Sequence, residues 1–421
     1  MSASAKVTMS DYFDSLETRP AEAREGALMA RLPSLVEHAK ANARGWAKQL
    51  AGVEPREISS RKALARLPVL RKSGLKALQE EDPPFGGFVT VEPGRLSRLF
   101  LSPGPIFDAE GAGDDPWRAA RALHAAGIRA GHVVQNCFGY HLTPGAWMID
   151  GAARRIGCAV VPAGVGQIEQ QIEIIRTLAP DAYTGTPSFL RMIVEKALEA
   201  SLDISNLKRA LLAAEALPTS LRSWFREQGI DTVLQWYGTA DVGLIAYESA
   251  AMEGMILDEE LILEIVRPGT GEPVSDGEVG EVVVTSFNPA YPMVRLGTGD
   301  LSAVLPGASP CGRTNMRIRG WLGRADQRTK VKGMFVDPKQ VAEVVRRDPA
   351  IGRARLVVTR EGERDAMTLH VEPADGAALD ARGIEAVLRE VTKLGGAVKL
   401  VPAGSLPNDG KVIADERDYS G

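Results

Sequence analysis

The side chains most able to do chemistry sit in a few polar runs. QWYGTADVG covers residues 235–243, TGDL covers 298–301, and LPNDGK ends at Lys411. Another run, GRADQRTKVKGMFVDP at 323–338, gathers Arg324, Asp326, Lys330 and Lys332 around a glycine turn. Tyr237 and Thr239 lie where a predicted strand opens into a glycine-containing polar loop, the place where open α/β sheets bind ligands. The Asp300 carboxylate accepts hydrogen bonds only, so it suits a ligand with paired hydroxyls. The ammonium of Lys411 suits charge that develops on a transferred phosphate group. Each run also has a plainer reading: an ordinary turn for 235–243 and for TGDL, a solvated side chain for Lys411.

The elements that must hold these residues follow from the pattern. Residues 11–50 read as helical, with Leu28, Leu32, Leu35, Val36 and Ala39 at helical spacing. From Arg98 the chain alternates: LSRLFLS, HVVQNCF, CAVVPAG, DAYTGTP and TVLQWYG read as strands. PWRAARALHAAG, TPGAWMIDGAARRIG, VGQIEQQIEIIRTLAP, SFLRMIVEKALEA and PTSLRSWFREQG read as helices. Such alternation predicts a parallel sheet with both faces covered. LILEIVRP and GEVGEVVVTSF are β-rich and separated by Gly/Pro/Asp turns, which predicts a small β subdomain over about 255–322. After Gly323 the order strand, helix, strand, strand, helix, strand matches the split ferredoxin-like arrangement. The expected fold is therefore α/β. A large N-terminal domain (1–322) with parallel sheets and the β subdomain precedes an α+β C-terminal domain (323–421).

Bulk properties narrow the function. A chain of 421 residues can build two or three domains around a large core. A net charge of −4 argues against a nucleic-acid partner, whose footprint is a basic patch or stripe. No apolar run approaches the roughly 18 residues that span a bilayer, and MSASAKVTMSDYFDS has no apolar signal core. Three scattered cysteines, Cys137, Cys158 and Cys311, form no disulfide framework and fit a reducing compartment. A cytoplasmic protein without a membrane partner is expected. There is no G-x-S-x-G elbow, H-E-x-x-H or G-x-G-x-x-G fingerprint, and five scattered histidines show no metal pattern.

Taken in order, TGTPSFL, QWYGTADVG, TGEPVSDGEVGEVVVTSF, TGDL, CGRT, the 323–338 run and LPNDGK resemble the AMP-forming acid ligases. The resemblance runs from about Leu67 onward, and its closest form is the phenylacetate-CoA ligase group. It implies ATP, Mg²⁺ and CoA as cofactors. A small carboxylic acid, aromatic by analogy, would be activated as an acyl-adenylate and passed to CoA. The C-terminal domain would be a lid turning about a hinge at Asp326 to serve both half-reactions.

Site roles follow from the same resemblance. Tyr237 would stack on adenine opposite Ala214 and Glu215 of AAEAL. Gly238 and Thr239 would meet the AMP phosphate, and Asp300 and Arg324 the ribose. Lys411 would be the catalytic lysine of adenylation. Asp241 stands where the family carries a Mg²⁺-binding glutamate, with one methylene less reach. Lys330 and Lys332 would contact CoA phosphates or remain solvated. Phe138, Tyr140 and His141 of FGYHLTPG would border the acid pocket or serve the core.

Two places depart from the family. The phosphate loop reads LFLSPGPIFDAEG (99–111). Pro103 and Pro105 have no N–H to donate, Asp108 and Glu110 add negative charge, and only Ser102 and Gly104 remain as contacts. A zinc knuckle found in relatives is replaced by Ser249, Met255, Ser309 and Cys311, a set that binds zinc poorly, so no zinc is expected. Other readings therefore stay open: an accessory AMP- or acyl-CoA-binding homologue, or an adenylating enzyme with another acceptor. A homodimer is compatible with all of them.

Overall fold

The computed structural model describes residues 11–325, 329–331, 334–361 and 364–417. The chain forms two compact units. One comprises Met1–Leu263, Val284–Leu296 and Leu305–Trp321; the other comprises Glu264–Val283, Gly297–Val304 and Leu322–Gly421. Two segments that precede residue 322 thus belong to the same unit as the C-terminal residues. The strands Leu261–Val266, Gly280–Ser286 and Met293–Ser302 each pass from one unit into the other along the chain. They belong with Leu70–Arg71 to a four-stranded sheet.

In the first unit the strands Ala159–Val161, Val133–Asn136, Ala182–Gly185, Arg209–Leu212 and Thr232–Thr239 lie side by side in that order, all parallel. The helices Gly145–Ile156, Ile168–Leu178, Pro187–Glu199 and Thr219–Glu227 make the crossovers. This is the alternation expected from the sequence, except that the LSRLFLS strand lies outside this sheet, in an antiparallel pair with Ile106–Glu110. The helix Pro187–Glu199 illustrates why. Leu190, Ile193, Val194 and Ala197 recur at helical spacing and are fully buried. Pro187 suits a first turn, and the Thr186 hydroxyl accepts from Phe189 N–H at 3.3 Å as the cap. At the other end of the pattern, Gly157 stops Gly145–Ile156 with φ 96°, a left-handed conformation that favours glycine.

The sheet has a core on each face. Trp117, Leu123, Val134, Ile149 and Leu244 fill one, and Leu190, Ile193, Leu212, Phe225 and Val233 the other. Beyond Thr239 the chain reverses. Gly243–Tyr247 pairs antiparallel with Thr232–Thr239, and Met255–Leu257 pairs antiparallel with Gly243–Tyr247. Among the described residues no helix is long and apolar enough to cross a membrane.

In the second unit the sheet order is Ala397–Leu400, Arg364–Pro373, Ile351–Glu361, Ile413–Asp415. The central hairpin is antiparallel and both edge strands join parallel. The helices Pro338–Arg347 and Ala381–Thr392 cover it through Val341, Val344, Ile384 and Leu388, against Leu356 and Leu369. One detail differs from the sequence reading. The strand Met334–Val336 pairs with Thr329–Val331, and the C-terminal Ile413–Asp415 takes the sheet edge. Ile413 and Ala414 are buried there, and Asp415 accepts from the Thr329 hydroxyl at 2.7 Å.

Candidate active site

The order of the five parallel strands reverses between Val133–Asn136 and Ala182–Gly185. Open α/β sheets bind ligands beyond the carboxyl ends of strands at such a point. Asn136, fully buried at the end of its strand, ties the region together. Its amide donates to Tyr140 Oη and to the Ala146 carbonyl, each at 2.9 Å, and its oxygen accepts from Thr184 Oγ1 at 3.1 Å. Tyr140 is thereby fixed, and Trp147 Nε1 donates to its carbonyl at 3.2 Å. Phe138 packs edge-on against Trp236 with ring centroids 6.1 Å apart. His141 is exposed.

The next strand ends deliver the remaining residues. After Arg209–Leu212 the chain turns at Ala214, whose φ is 68°. Glu215 reaches the first turn of Pro187–Glu199, where it accepts from Ser188 N–H at 3.1 Å and Ser188 Oγ at 2.8 Å. A carboxylate is well placed at the positive end of a helix. Tyr237 is buried in Thr232–Thr239, and the strand is irregular between Tyr237 and Gly238. Gly238 is required there: a Cβ would fall on the Gly243 carbonyl and 2.7 Å from the Trp236 ring. Among the described residues the Thr239 hydroxyl has no hydrogen-bond partner.

Asp241 is buried, and its Oδ2 forms an ion pair with Lys72 Nζ at the start of Lys72–Glu81. Its Oδ1 has no partner among the described residues. Beside it lies the altered loop, a hairpin of Arg98–Ser102 and Ile106–Glu110. Ser102 Oγ is buried and donates to the Ile106 carbonyl at 3.3 Å, closing the hairpin, while Gly104 lies in its exposed turn. Glu110 pairs with Arg98 at 2.9 Å. Asp108 is wholly buried next to Asp241; burial pushes its carboxyl up to about 8, Asp241 pushes the same way and Lys72 opposes.

Within the second unit, Arg324 Nη1 donates to Asp300 Oδ1 at 3.1 Å, and the two residues also form a backbone bridge. Gly299, at φ 77°, leaves room for this: a Cβ would stand 2.8 Å from Arg324 Nη2. Lys411 is exposed, but its loop is docked. Asn408 Oδ1 accepts from Val279 N–H at 3.0 Å and its amide donates to the Gly277 carbonyl at 3.2 Å. Gly410, at φ 70°, packs so closely that a Cβ would stand 2.6 Å from Val279 Cγ1 and 3.1 Å from Leu301 Cδ2. Leu301 follows Asp300, so that aspartate, Arg324 and the Lys411 loop share one region of this unit. Lys411 also lines a cavity of about 350 Å³ with Arg267, Lys339, Arg346 and Arg353. Asp326 and Lys332 lie outside the described residues; Lys330 belongs to the strand Thr329–Val331.

Residues 140–290 match the family model described as AMP-binding enzyme. The chain is 31% identical over 382 residues to the phenylacetate-coenzyme A ligase of Thermus thermophilus, covering 86% of this chain and 84% of that one. This chain belongs to the phenylacetate-CoA ligase family of AMP-binding enzymes. The family enzyme of Pseudomonas putida is 30% identical over 401 residues, 90% of this chain and 89% of its own. A crystal structure of 2-hydroxyisobutyryl-CoA ligase with 2-HIB-AMP and CoA superposes with a TM-score of 0.70 at 26% identity, over 97% of this chain and 93% of that one.

Family membership sharpens the zinc question. Ser309 Oγ lies 3.1 Å from Cys311 Sγ, Arg313 Nη1 lies 3.7 Å from it, and Ser249 also hydrogen-bonds this thiol. Met255 is buried elsewhere, against the Gly320 backbone. One thiol bonded to two hydroxyls and a guanidinium is a poor donor set for zinc, which takes thiolate or imidazole ligands. Purified protein is expected to contain no stoichiometric zinc by elemental analysis, and a chelator should leave the melting temperature unchanged. Zinc lost together with stability on chelation would show that other residues bind it.

Sequence reasoning missed Asn136 and Lys72. Asn136 stands at a strand end amid apolar residues, and a polar residue there is a signal that can be read. Lys72 had none, because its partner Asp241 lies 169 positions away.

Proposed function

We propose that the protein is an AMP-forming acid-CoA ligase that activates an aromatic carboxylic acid. The observation that carries this reading is the set of side chains at the carboxyl ends of the parallel strands, in a chain of this family. Phe138 and Tyr140 provide an aromatic wall suited to an aryl acid. Tyr237 and the 214–215 segment flank adenine, and the unpartnered Thr239 hydroxyl is available to donate to the α-phosphate. Asp300 accepts from the ribose hydroxyls, with Arg324 holding its carboxylate in place.

Catalysis is then mostly positioning and charge stabilisation. The acid carboxylate attacks the α-phosphorus, pyrophosphate leaves, and the thiol of CoA displaces AMP from the acyl carbon. Lys411 offsets charge on the α-phosphate oxygens and the acid during the first step. Asp241 fits Mg²⁺: it is buried, and among the described residues its Oδ1 has no hydrogen-bond donor. An ion held there would supply charge neutralisation at the phosphates. Residues 323–421 act as the lid, hinged near Asp326, with Lys330 and Lys332 toward the CoA phosphates.

The test is acid-dependent ATP–pyrophosphate exchange over a panel of aryl and aliphatic acids, with CoA consumption followed separately. Exchange with an aryl acid together with thioester formation is expected. Exchange without CoA consumption would point to another acceptor. Absence of exchange with every acid would leave an accessory binding protein.

A further inference from the structure

The cavity of about 350 Å³ beside Lys411 has no part in the reaction proposed above. Its size falls at the low end of the roughly 300–1,000 Å³ that hold small ligands. Every residue lining it belongs to the second unit. The walls are the 267–272 turn, one face of the helix Pro338–Arg347, the start of the strand Ile351–Glu361 and the Lys411 loop. These walls are tied to one another. Arg267 Nη1 donates to the Gly352 carbonyl at 3.4 Å, and Arg353 donates to the Leu406 and Pro407 carbonyls at 3.3 and 3.2 Å. Gly269, at φ 88°, lies so near the helix start that a Cβ would stand 3.2 Å from the Pro338 backbone. Asn408 anchors the Lys411 loop on the 277–279 turn. The cavity is therefore preformed.

Its lining combines charge with apolar surface. Five cationic side chains face three carboxylates, so positive charge is in excess. Glu343 is already paired, with Arg346 at 2.6 Å and Arg347 at 2.7 Å. Lys339 and Lys411 are exposed, and neither ammonium enters an ion pair with a described residue. Beside them lie Val279, Val341 and Val345, the last two one helical turn apart on the same face. A cleft with excess charge of one sign concentrates ions of the other. A polyphosphate would overshoot that modest excess, because Glu272 and Glu278 also line the cavity. A small anion with an apolar body satisfies both halves of the lining.

We propose that this cavity binds a small organic acid, its carboxylate met by the cations and its body laid on the valines, and that the bound acid inhibits adenylation by drawing the Lys411 ammonium into the cavity. The inhibitory part rests on the acid-ligase reading; the binding site does not.

The experiment uses the full chain without nucleotide or CoA, with octanoate as the probe. Calorimetry should show saturable octanoate binding. Lys339→Glu should weaken it by roughly tenfold or more, since it removes one attraction and adds a like charge. Lys339 is exposed and lies outside the residues assigned to catalysis, so the variant should fold, which a thermal melt checks. Bound octanoate should also slow acylation of Lys411 by an amine-reactive ester, read by mass spectrometry, while Lys76 in the first unit keeps its rate. Where pyrophosphate exchange is measurable, octanoate should inhibit the wild type far more than Lys339→Glu. Absence of saturable binding overturns the proposal. Binding undiminished in Lys339→Glu places octanoate elsewhere and overturns it as well. Binding that depends on Lys339 but leaves Lys411 unprotected overturns the inhibitory part. The binding and labelling measurements need no turnover, so their failure and failure of the exchange assay are distinguishable.

Discussion

Replacing Lys411 by alanine is expected to lower acyl-adenylate formation by roughly 10²–10³-fold, the usual effect of removing one preorganised charge stabiliser. Thioester formation from supplied acyl-AMP should stay within a few-fold of wild type. The structure makes this a clean experiment. The Lys411 side chain is exposed, so its loss leaves no buried charge behind. The backbone around it is held independently, by Asn408 on the 277–279 turn, by Gly410 against Val279 and Leu301, and by Arg355 Nε donating to the Lys411 carbonyl at 2.9 Å. The melting temperature should therefore not move. In the proposed mechanism the second step, displacement of AMP by the CoA thiol, does not call on this ammonium, which is why the two half-reactions should separate. Equal losses in both assays would remove Lys411 from the adenylation step.

Much of this arrangement was legible in the chain. The parallel strands could be read because local signals agree: short β-branched runs, amphipathic helices between them, and glycine or proline at the ends. Leu190, Ile193 and Val194 carry that pattern on one helix, and all are buried. The placement of Tyr237, Gly238 and Thr239 at a strand end was legible for the same reason. What could not be read depends on distant partners. In the sequence Asp108 is only an added negative charge in the phosphate loop, yet it is buried beside Asp241. Its burial is decided by Lys72–Glu81 and Ile106–Glu110 packing together, as in the paired contacts of Gln79 with the Phe107 backbone at 2.8 Å. The strand Met334–Val336 was recognised, but its partner was not, because three residues carry too little pattern to choose between two edges. The N-terminal segment gave no motif at all, and its role lies in a buried ion-pair network.

That network yields the largest stability prediction. Glu17 is wholly buried, and its carboxylate accepts from Tyr247 Oη at 2.7 Å and from Phe13 N–H at 3.0 Å while pairing with Arg313 at 3.2 Å. Arg313 is itself buried and donates to the Asp11 carbonyl at 3.0 Å. Close by, Arg24 pairs with buried Glu259 at 2.7 Å. Tyr247 sits across from Trp236, next to Tyr237, so the segment braces the strand pair that presents the nucleotide residues. Glu17→Ala would strand the Arg313 guanidinium in the interior and leave the Tyr247 hydroxyl without its acceptor. Breaking a buried pair from one side costs about 3–5 kcal/mol. The double variant Glu17→Leu/Arg313→Met should recover most of that loss, because it removes both charges and keeps their volume. Every tryptophan lies in the first unit, at positions 46, 117, 147, 224, 236 and 321, so tryptophan fluorescence during urea unfolding reports that unit alone. A single variant as stable as wild type, or a double variant no better than the single, would mean that packing of the segment, and not its buried charges, holds the strand pair in place.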